Sequence, residues 1–184
     1  ALGKEVKWDA ETNTAEIGDK DQGFLEKNGI KIYTKTIKYK DAYAEVNLKI
    51  PVIEGMKNSE VMNQLNQAFE KKALDFKKES ERMIKEVFEE SKEQGRPPWT
   101  GSVYTEYEAL INDNETMSIS VTYYQYTGGA HGNYYKETVN LDLVNEKELL
   151  LKELFAESDI YKQVLTDAII KQMNKDRDNL FPET

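Results

Sequence analysis

Residues 126–135 read Tyr126, Thr127, Gly128, Gly129, Ala130, His131, Gly132, Asn133, Tyr134, Tyr135, which sets three glycines and the chain's single histidine between two tyrosine-rich stretches. An imidazole can move protons near neutral pH or ligate a metal, and glycines let a backbone approach a ligand closely. Either chemistry needs partners that the sequence does not mark. A serine nucleophile would sit in a Gly-x-Ser-x-Gly elbow, which is absent, and Gly128-Gly129 matches an oxyanion loop in composition only. Phosphate cradles of the Gly-x-x-x-x-Gly-Lys or Gly-x-Gly-x-x-Gly kind are missing as well. With no cysteine in the chain, there is no thiol nucleophile, disulfide framework, cysteine-ligated zinc or iron–sulfur cluster. A zinc site built on one histidine would have to recruit carboxylates from distant segments. Asp9-Ala10-Glu11-Thr12-Asn13 and Asn174-Lys175-Asp176-Arg177-Asp178 imitate the opening of a calcium loop, but both lack the sixth-position glycine, and Lys20 and the chain's end deny them the closing glutamate. Among 34 acidic residues no spacing singles out a pair for glycoside cleavage. The expectation is a non-enzymatic chain with no catalytic residue, no metal ligand and no cofactor.

What remains for the loop is recognition. Tyr126, Thr127, Gly128, Gly129, His131, Gly132, Asn133, Tyr134 and Tyr135 form the candidate partner-binding surface, the tyrosines supplying contact area at low entropic cost. The competing reading is a glycine-shaped hairpin loop whose histidine hydrogen-bonds a neighbouring strand. Tyr104, Tyr107, Tyr123 and Tyr124 extend the aromatic cluster onto adjacent strands. Strand propensity explains part of this enrichment, and alternation sends about half of such rings to the outer face of a sheet.

The elements that must position these residues follow from periodicity. Residues 30–50 give two β segments about a turn at Tyr39-Lys40-Asp41; in the second, Ala44, Val46, Leu48 and Ile50 alternate with polar residues, and Pro51 is expected to end the ladder. Residues 58–94 are helical, with Val61, Met62, Leu65, Ala68, Phe69, Phe76, Met83, Ile84, Val87 and Phe88 on one stripe. Asn58 or Ser59 serves as N-cap and Gly95, then Pro97-Pro98, as stop. Such a helix would run about 50 Å, long for one globular domain, so that either a break near Ser80 or protrusion past the sheet is open, with a coiled-coil partner for the apolar stripe as the sharper alternative. Strands follow at 102–111, 116–126 and 134–143, the first two joined by a turn at Asn112-Asp113-Asn114-Glu115. Met117, Ile119, Val121 and Tyr123 share one face of the middle strand, as a sheet covered on one side requires. Residues 149–155 connect to a last helix, capped by Ser158 or Asp159, with Ile160, Val164, Leu165, Ala168, Ile169 and Met173 inward. The fold class expected is α+β: an antiparallel sheet with a long amphipathic helix and a C-terminal helix packed on one face.

Size and charge bound the partners. A chain of 184 residues can bury a self-sufficient core. The formal net charge of -9 disfavours nucleic acid and anionic membrane and suits a cationic partner. No apolar run approaches a membrane span, and the first residues do not form a signal peptide. Membrane attachment is therefore expected only through a segment absent from this chain.

Thr127-Gly128-Gly129-Ala130-His131-Gly132-Asn133, then Val139-Asn140-Leu141-Asp142-Leu143 and Leu149-Leu150-Leu151-Lys152-Glu153-Leu154-Phe155, resembles the signature of a Gram-positive extracytoplasmic domain family. That family occurs in the lysozyme-binding ectodomain of the anti-sigma factor RsiV and beside the catalytic domain of peptidoglycan deacetylases. Residues 30–99 resemble the domain that stands in front of it. Leu2-Gly3-Lys4-Glu5-Val6-Lys7-Trp8-Asp9, with Thr12, Thr14 and Ile17, is similar to the tail of the copper-amine-oxidase N-terminal-like stalk domain, a likeness that implies no copper. The resemblance divides the chain into a stalk-like tail or linker, 1–21, and a binding module, 22–184. The module's first half is 22–99; its second, 100–184, is expected to be incomplete, since family members continue past the last helix into further strands. It implies an extracytoplasmic sensing module of a Gram-positive-type bacterium, secreted, wall-associated or membrane-anchored, that recognises lysozyme or another cationic wall-active protein. A peptidoglycan-binding accessory domain and a structural spacer are the alternatives.

Overall fold

A computed structural model of the chain describes residues 4–9, 14–19, 25–27, 29–97, 99–112, 115–155 and 160–175, with residues 4–9, 14–19 and 154 through their backbone alone. It divides into two units, Ala1–Lys147 and Glu148–Thr184. The fold is α+β. In chain order the elements are β1 (Lys4–Asp9), β2 (Thr14–Asp19), β3 (Leu25–Lys27), β4 (Ile30–Lys40), β5 (Ala44–Glu54), α1 (Ser59–Glu93), β6 (Gly101–Ile111), β7 (Thr116–Tyr126), β8 (Asn133–Asp142), β9 (Lys147–Glu148) and α2 (Tyr161–Lys175), with a short 3-10 turn at Leu151–Leu154 before α2. Among the described residues the strands form one sheet in the order β1-β2-β4-β5-β6-β7-β8-β9, with β3 beside β4. The hairpin β1–β2 joins it through Glu16–Gly18 against Lys35–Ile37 of β4.

One pairing departs from the antiparallel expectation: β5 and β6 run parallel, from Ala44 opposite Gly101 to Leu48 opposite Thr105. The cause is α1, whose 35 residues carry the chain about 50 Å back along the sheet, so that β6 starts at the end where β5 started. A parallel pair needs such a crossover. Pro51 does not end its strand either; β5 continues to Glu54, and Pro51 lies opposite Thr34. Its missing N–H breaks no ladder bond there, because the pairing with β6 stops at Leu48 and beyond it that side of the strand is met by side chains, Thr105 at Lys49 and Asn66 at Ile53.

α1 is continuous through Ser80. The Asn58 side chain accepts from the backbone N–H groups of Glu60 and Val61, at 3.1 and 3.2 Å. At the other end Gly95 adopts φ +66°, its N–H reaches the Lys92 carbonyl, and the Arg96 N–H reaches the Ser91 carbonyl at 2.9 Å. This paired closure is the glycine-dependent stop that the sequence announces. The helix is held to the sheet by small residues as much as by large ones: Phe69, Ala73, Ser80, Ile84 and Ser91 are its buried positions, whereas Ala68 is exposed. Ser80 is buried because its hydroxyl has a partner, donating to Gln125 Oε1 at 2.6 Å. Facing it, Val46, Leu48, Val103, Met117, Ile119 and Leu141 are fully buried on the sheet.

In the second unit α2 forms where periodicity places it, but it buries no residue. Ile160, Val164, Ala168, Ile169 and Met173 are exposed, and only Leu165 of the expected inner face is half-buried. A segment this short cannot build a core of its own. The expected caps Ser158 and Asp159 lie outside the described residues, as do Asp113 and Asn114 of the β6–β7 turn. No described helix is long and apolar enough to cross a membrane.

Three tyrosines make the folded state sensitive to alkali. Burial, then a 2.7 Å hydrogen bond to Glu54, pushes Tyr33 up to about 12. Tyr39 is held further up by burial and its bond to Glu81, and Tyr123 by burial beside Glu137. Unfolded tyrosines lose their protons near pH 10. Above that pH the unfolded chain binds fewer protons than the folded one, so this stability is whole below about pH 10 and falls as pH rises toward 12. Denaturant midpoints measured from about pH 8 to 12 should decline beyond pH 10, with a shallower slope for Tyr39→Phe.

Candidate recognition surface

α1 covers one face of the sheet; the other is set by strand alternation. On that outer face Glu45 and Asn47 come from β5, Tyr104, Glu106 and Glu108 from β6, Thr122 and Tyr124 from β7, and Lys136 from β8, together lining an open groove of about 700 Å³. Register makes the aromatic row continuous, since Tyr104 lies opposite Tyr124 and Tyr124 opposite Tyr134. The Tyr104 and Tyr124 rings stack at 5.8 Å between centroids and 17° between planes, and Tyr134 is 71% exposed at the end of the row. Three carboxylates stand beside these rings, against Lys136 and a Lys49 already engaged with Glu106 at 3.0 Å. Below them runs a hydroxyl and amide ladder, in which Ser118 donates to Asn140 at 2.7 Å and Thr138 to Ser120 at 3.0 Å.

The glycine loop abuts this groove, and it divides the residues singled out from sequence. Gly132 lies so close on the Tyr124 ring that a Cβ there would overlap it. Gly132 and Tyr134 therefore belong to the outer face. Gly128 adopts φ +101°, and a Cβ on it would stand 3.3 Å from Trp99. Tyr126 meets the same Trp99 edge-on at 5.8 Å and donates to the Gly129 carbonyl at 2.9 Å. These contacts close the end of the core and shape the loop. Thr127 is half-buried, while Gly129, His131 and Asn133 are exposed. The His131 Nδ1 lies 3.2 Å from the Gly132 carbonyl, a local contact with its own loop. Tyr135 goes to the helix side, stacked on Tyr123 at 4.9 Å and edge-on to Phe76 at 6.0 Å.

Glu45, Asn47, Glu106, Glu108, Thr122 and Lys136 line the groove but lie outside the glycine loop. The signal that finds them is the same alternation that buries Val46, Val103 and Val121, combined with the register between strands, which local sequence does not print. Chemically the face offers rings for stacking and carboxylates for cations. Among the described residues no three histidine or carboxylate side chains converge to hold a metal.

Comparison with known proteins adds a family. A crystal structure of a DUF3298-family member from Bacteroides fragilis superposes with a TM-score of 0.61 at 18% identity, over 82% of this chain and 71% of its own. A DUF3298-family protein from Pseudomonas aeruginosa gives 0.50 at 19% identity, over 83% and 74%. At such identities the likeness is one of fold. No curated protein matches the chain. The family model described as deacetylase PdaC matches residues 37–134, from β4 to the first residues of β8, and takes in the whole groove except Lys136. That stretch is more than half of the sequence, and the chain belongs to the deacetylase PdaC family.

Proposed function

We propose that this chain is a non-catalytic recognition module of the bacterial cell envelope, working outside the cytoplasm, whose outer sheet face binds a cationic wall-active protein of the lysozyme kind. The observation that carries the reading is the acidic, tyrosine-bearing groove on a face that α1 leaves open. Carboxylates beside exposed rings receive lysine and arginine side chains through charge and through cation–π contact, and the net charge of -9 draws a basic partner toward the surface. The resemblance to the lysozyme-sensing ectodomain of RsiV supplies the partner class. The resemblance of residues 1–21 to the tail of a stalk domain supports placement within a longer envelope protein. Within the deacetylase PdaC family we assign this chain recognition, since its outer face presents rings and carboxylates spread over four strands.

A second reading has its own support. The stacked Tyr104 and Tyr124 and the exposed Tyr134 form a platform on which a sugar ring could lie, as in a peptidoglycan-binding accessory domain of a wall-modifying enzyme. Salt separates the two: stacking on a neutral glycan is insensitive to ionic strength, whereas capture of a basic protein weakens as salt rises.

Tyr134 and its neighbour give the direct test. Tyr134→Ala should weaken lysozyme binding at least about tenfold, equivalent to ~1.4 kcal/mol, and leave the unfolding midpoint in place because its ring stands in solvent. Tyr135→Ala should do the reverse, costing about 1–3 kcal/mol of stability through its lost stacking on Tyr123 and Phe76, with little effect on affinity. Calorimetric titration and thermal unfolding of both variants check the pair; equal affinity losses from the two would remove the outer face from the account.

A further inference from the structure

We infer that a second binding site, separate from the outer groove, lies at the C-terminal end of α1 and takes a single six-membered ring that carries a carboxylate. A pocket of about 250 Å³ opens there, lined by Phe88, Ser91, Lys92, Arg96, Pro97 and Trp99. This is below the usual range for drug-sized ligands and suits one ring. Two aromatic side chains and a proline make its walls. Ser91, only 6% exposed, brings a hydroxyl to them from the buried side of the helix.

The walls are held in place before any ligand arrives. Trp99 is gripped by Phe88 at 6.2 Å, by Tyr126 at 5.8 Å and by the backbone of Gly128 beneath it. A pocket set in advance loses little ordering entropy on binding. The glycine loop singled out from sequence thereby acquires a task, since a side chain at 128 would press on this tryptophan.

Charge selects the ligand's sign. Lys92 and Arg96 both line the pocket, and among the described residues no ion pair with a carboxylate engages either of them. The helix end is closed by its own backbone, the carbonyls of Glu90, Ser91 and Lys92 accepting from the N–H groups of Gln94, Arg96 and Gly95. An arginine and a lysine flanking an apolar slot meet a carboxylate that leaves its ring inside. The ring can be that of a sugar acid or of an aromatic acid; both present an apolar face and one anionic group.

The chain has two tryptophans, so its nitrogen–proton correlation spectrum should show two indole signals, and Trp8→Phe identifies the one from Trp99. The full chain is titrated with glucuronate and with 3-phenylpropionate, each beside its uncharged counterpart, glucose and 3-phenylpropionamide. A saturable shift of the Trp99 signal is expected with at least one acid, at least about tenfold weaker with its uncharged counterpart. Response to glucuronate alone assigns a sugar acid, and to 3-phenylpropionate alone an aromatic acid. Lys92→Gln combined with Arg96→Gln, both exposed positions, should weaken the response by a similar factor without moving the unfolding midpoint. Absence of a saturable shift into the millimolar range, or an undiminished response in the double variant, would overturn the site and show Trp99 to be a core cap only. Lysozyme binding through the outer face does not depend on this pocket, so the two fail separately.

Discussion

Glu45→Gln, Glu106→Gln and Glu108→Gln, made together, are expected to slow the association of lysozyme by about tenfold or more at low salt, within the 10–10³ range that electrostatic steering supplies. All three carboxylates line the outer groove, and no core packing depends on their charge. Glu106 is 71% exposed and its ion pair with Lys49 is a surface one, worth about 0–1 kcal/mol, so the unfolding midpoint should barely move. Most of the effect should appear in the association rate and shrink as ionic strength rises past the point where the screening length falls to about 8 Å. Stopped-flow or surface-based kinetics at two salt concentrations reads both. An unchanged association rate would place the lysozyme contact elsewhere on the molecule.

Replacing Gly101 by alanine should cost about 1–3 kcal/mol, as overpacking of a filled core does, and lower the melting temperature by roughly 2–4 °C per kcal/mol in a chain of this size. A Cβ at 101 would stand 2.6 Å from the Ile84 side chain, which is fully buried where α1 crosses the start of β6. Ile84→Ala alone should cost about 2–5 kcal/mol by leaving a cavity. Combined, the two should cost less than their sum, because the new methyl enters the space that Ile84 leaves, and the coupling should fall in the 0.5–3 kcal/mol range of contacting residues. A strictly additive double mutant would mean that α1 does not rest on β6 at Gly101.

The sequence made the middle strand and the long helix legible because each carries one uninterrupted period. Met117, Ile119, Val121 and Tyr123 alternate and are buried as a set; Asn58 and Gly95 bracket α1 by their own hydrogen-bonding and backbone chemistry. What escaped was non-local. The parallel pairing of β5 with β6 follows from the length of α1, and the survival of β5 beyond Pro51 depends on where a different strand stops. Local sequence leaves a break at Ser80 open, and the residue that settles it, Gln125, which accepts its hydroxyl, stands 45 positions away. The stripe of α2 has helical spacing, but periodicity says which side chains share a face and not whether anything covers it.

The candidate site divides in the same way. Composition pointed to the glycine loop, and the loop does touch the outer face through Gly132 on Tyr124. Tyr126, Gly128 and Tyr135, equally prominent in the sequence, turn toward Trp99, Tyr123 and Phe76 instead. Adjacent residues on a strand point to opposite sides, so a run such as Tyr134-Tyr135 always serves two surfaces. The groove carboxylates lie 61–63 positions apart across the parallel junction, Glu45 from Glu106 and Glu108, and only the register of β5 against β6 unites them.

The central claim is that the open face of the sheet captures a cationic wall-active protein, and calorimetric titration of the intact chain with lysozyme, at low and then physiological salt, tests it most directly. Saturable binding with a dissociation constant of about 1 μM or tighter (~-8 kcal/mol), weakened but not abolished by the salt increase, is the predicted result. Absence of binding at low salt, where attraction between this acidic chain and a basic protein is strongest, would contradict it.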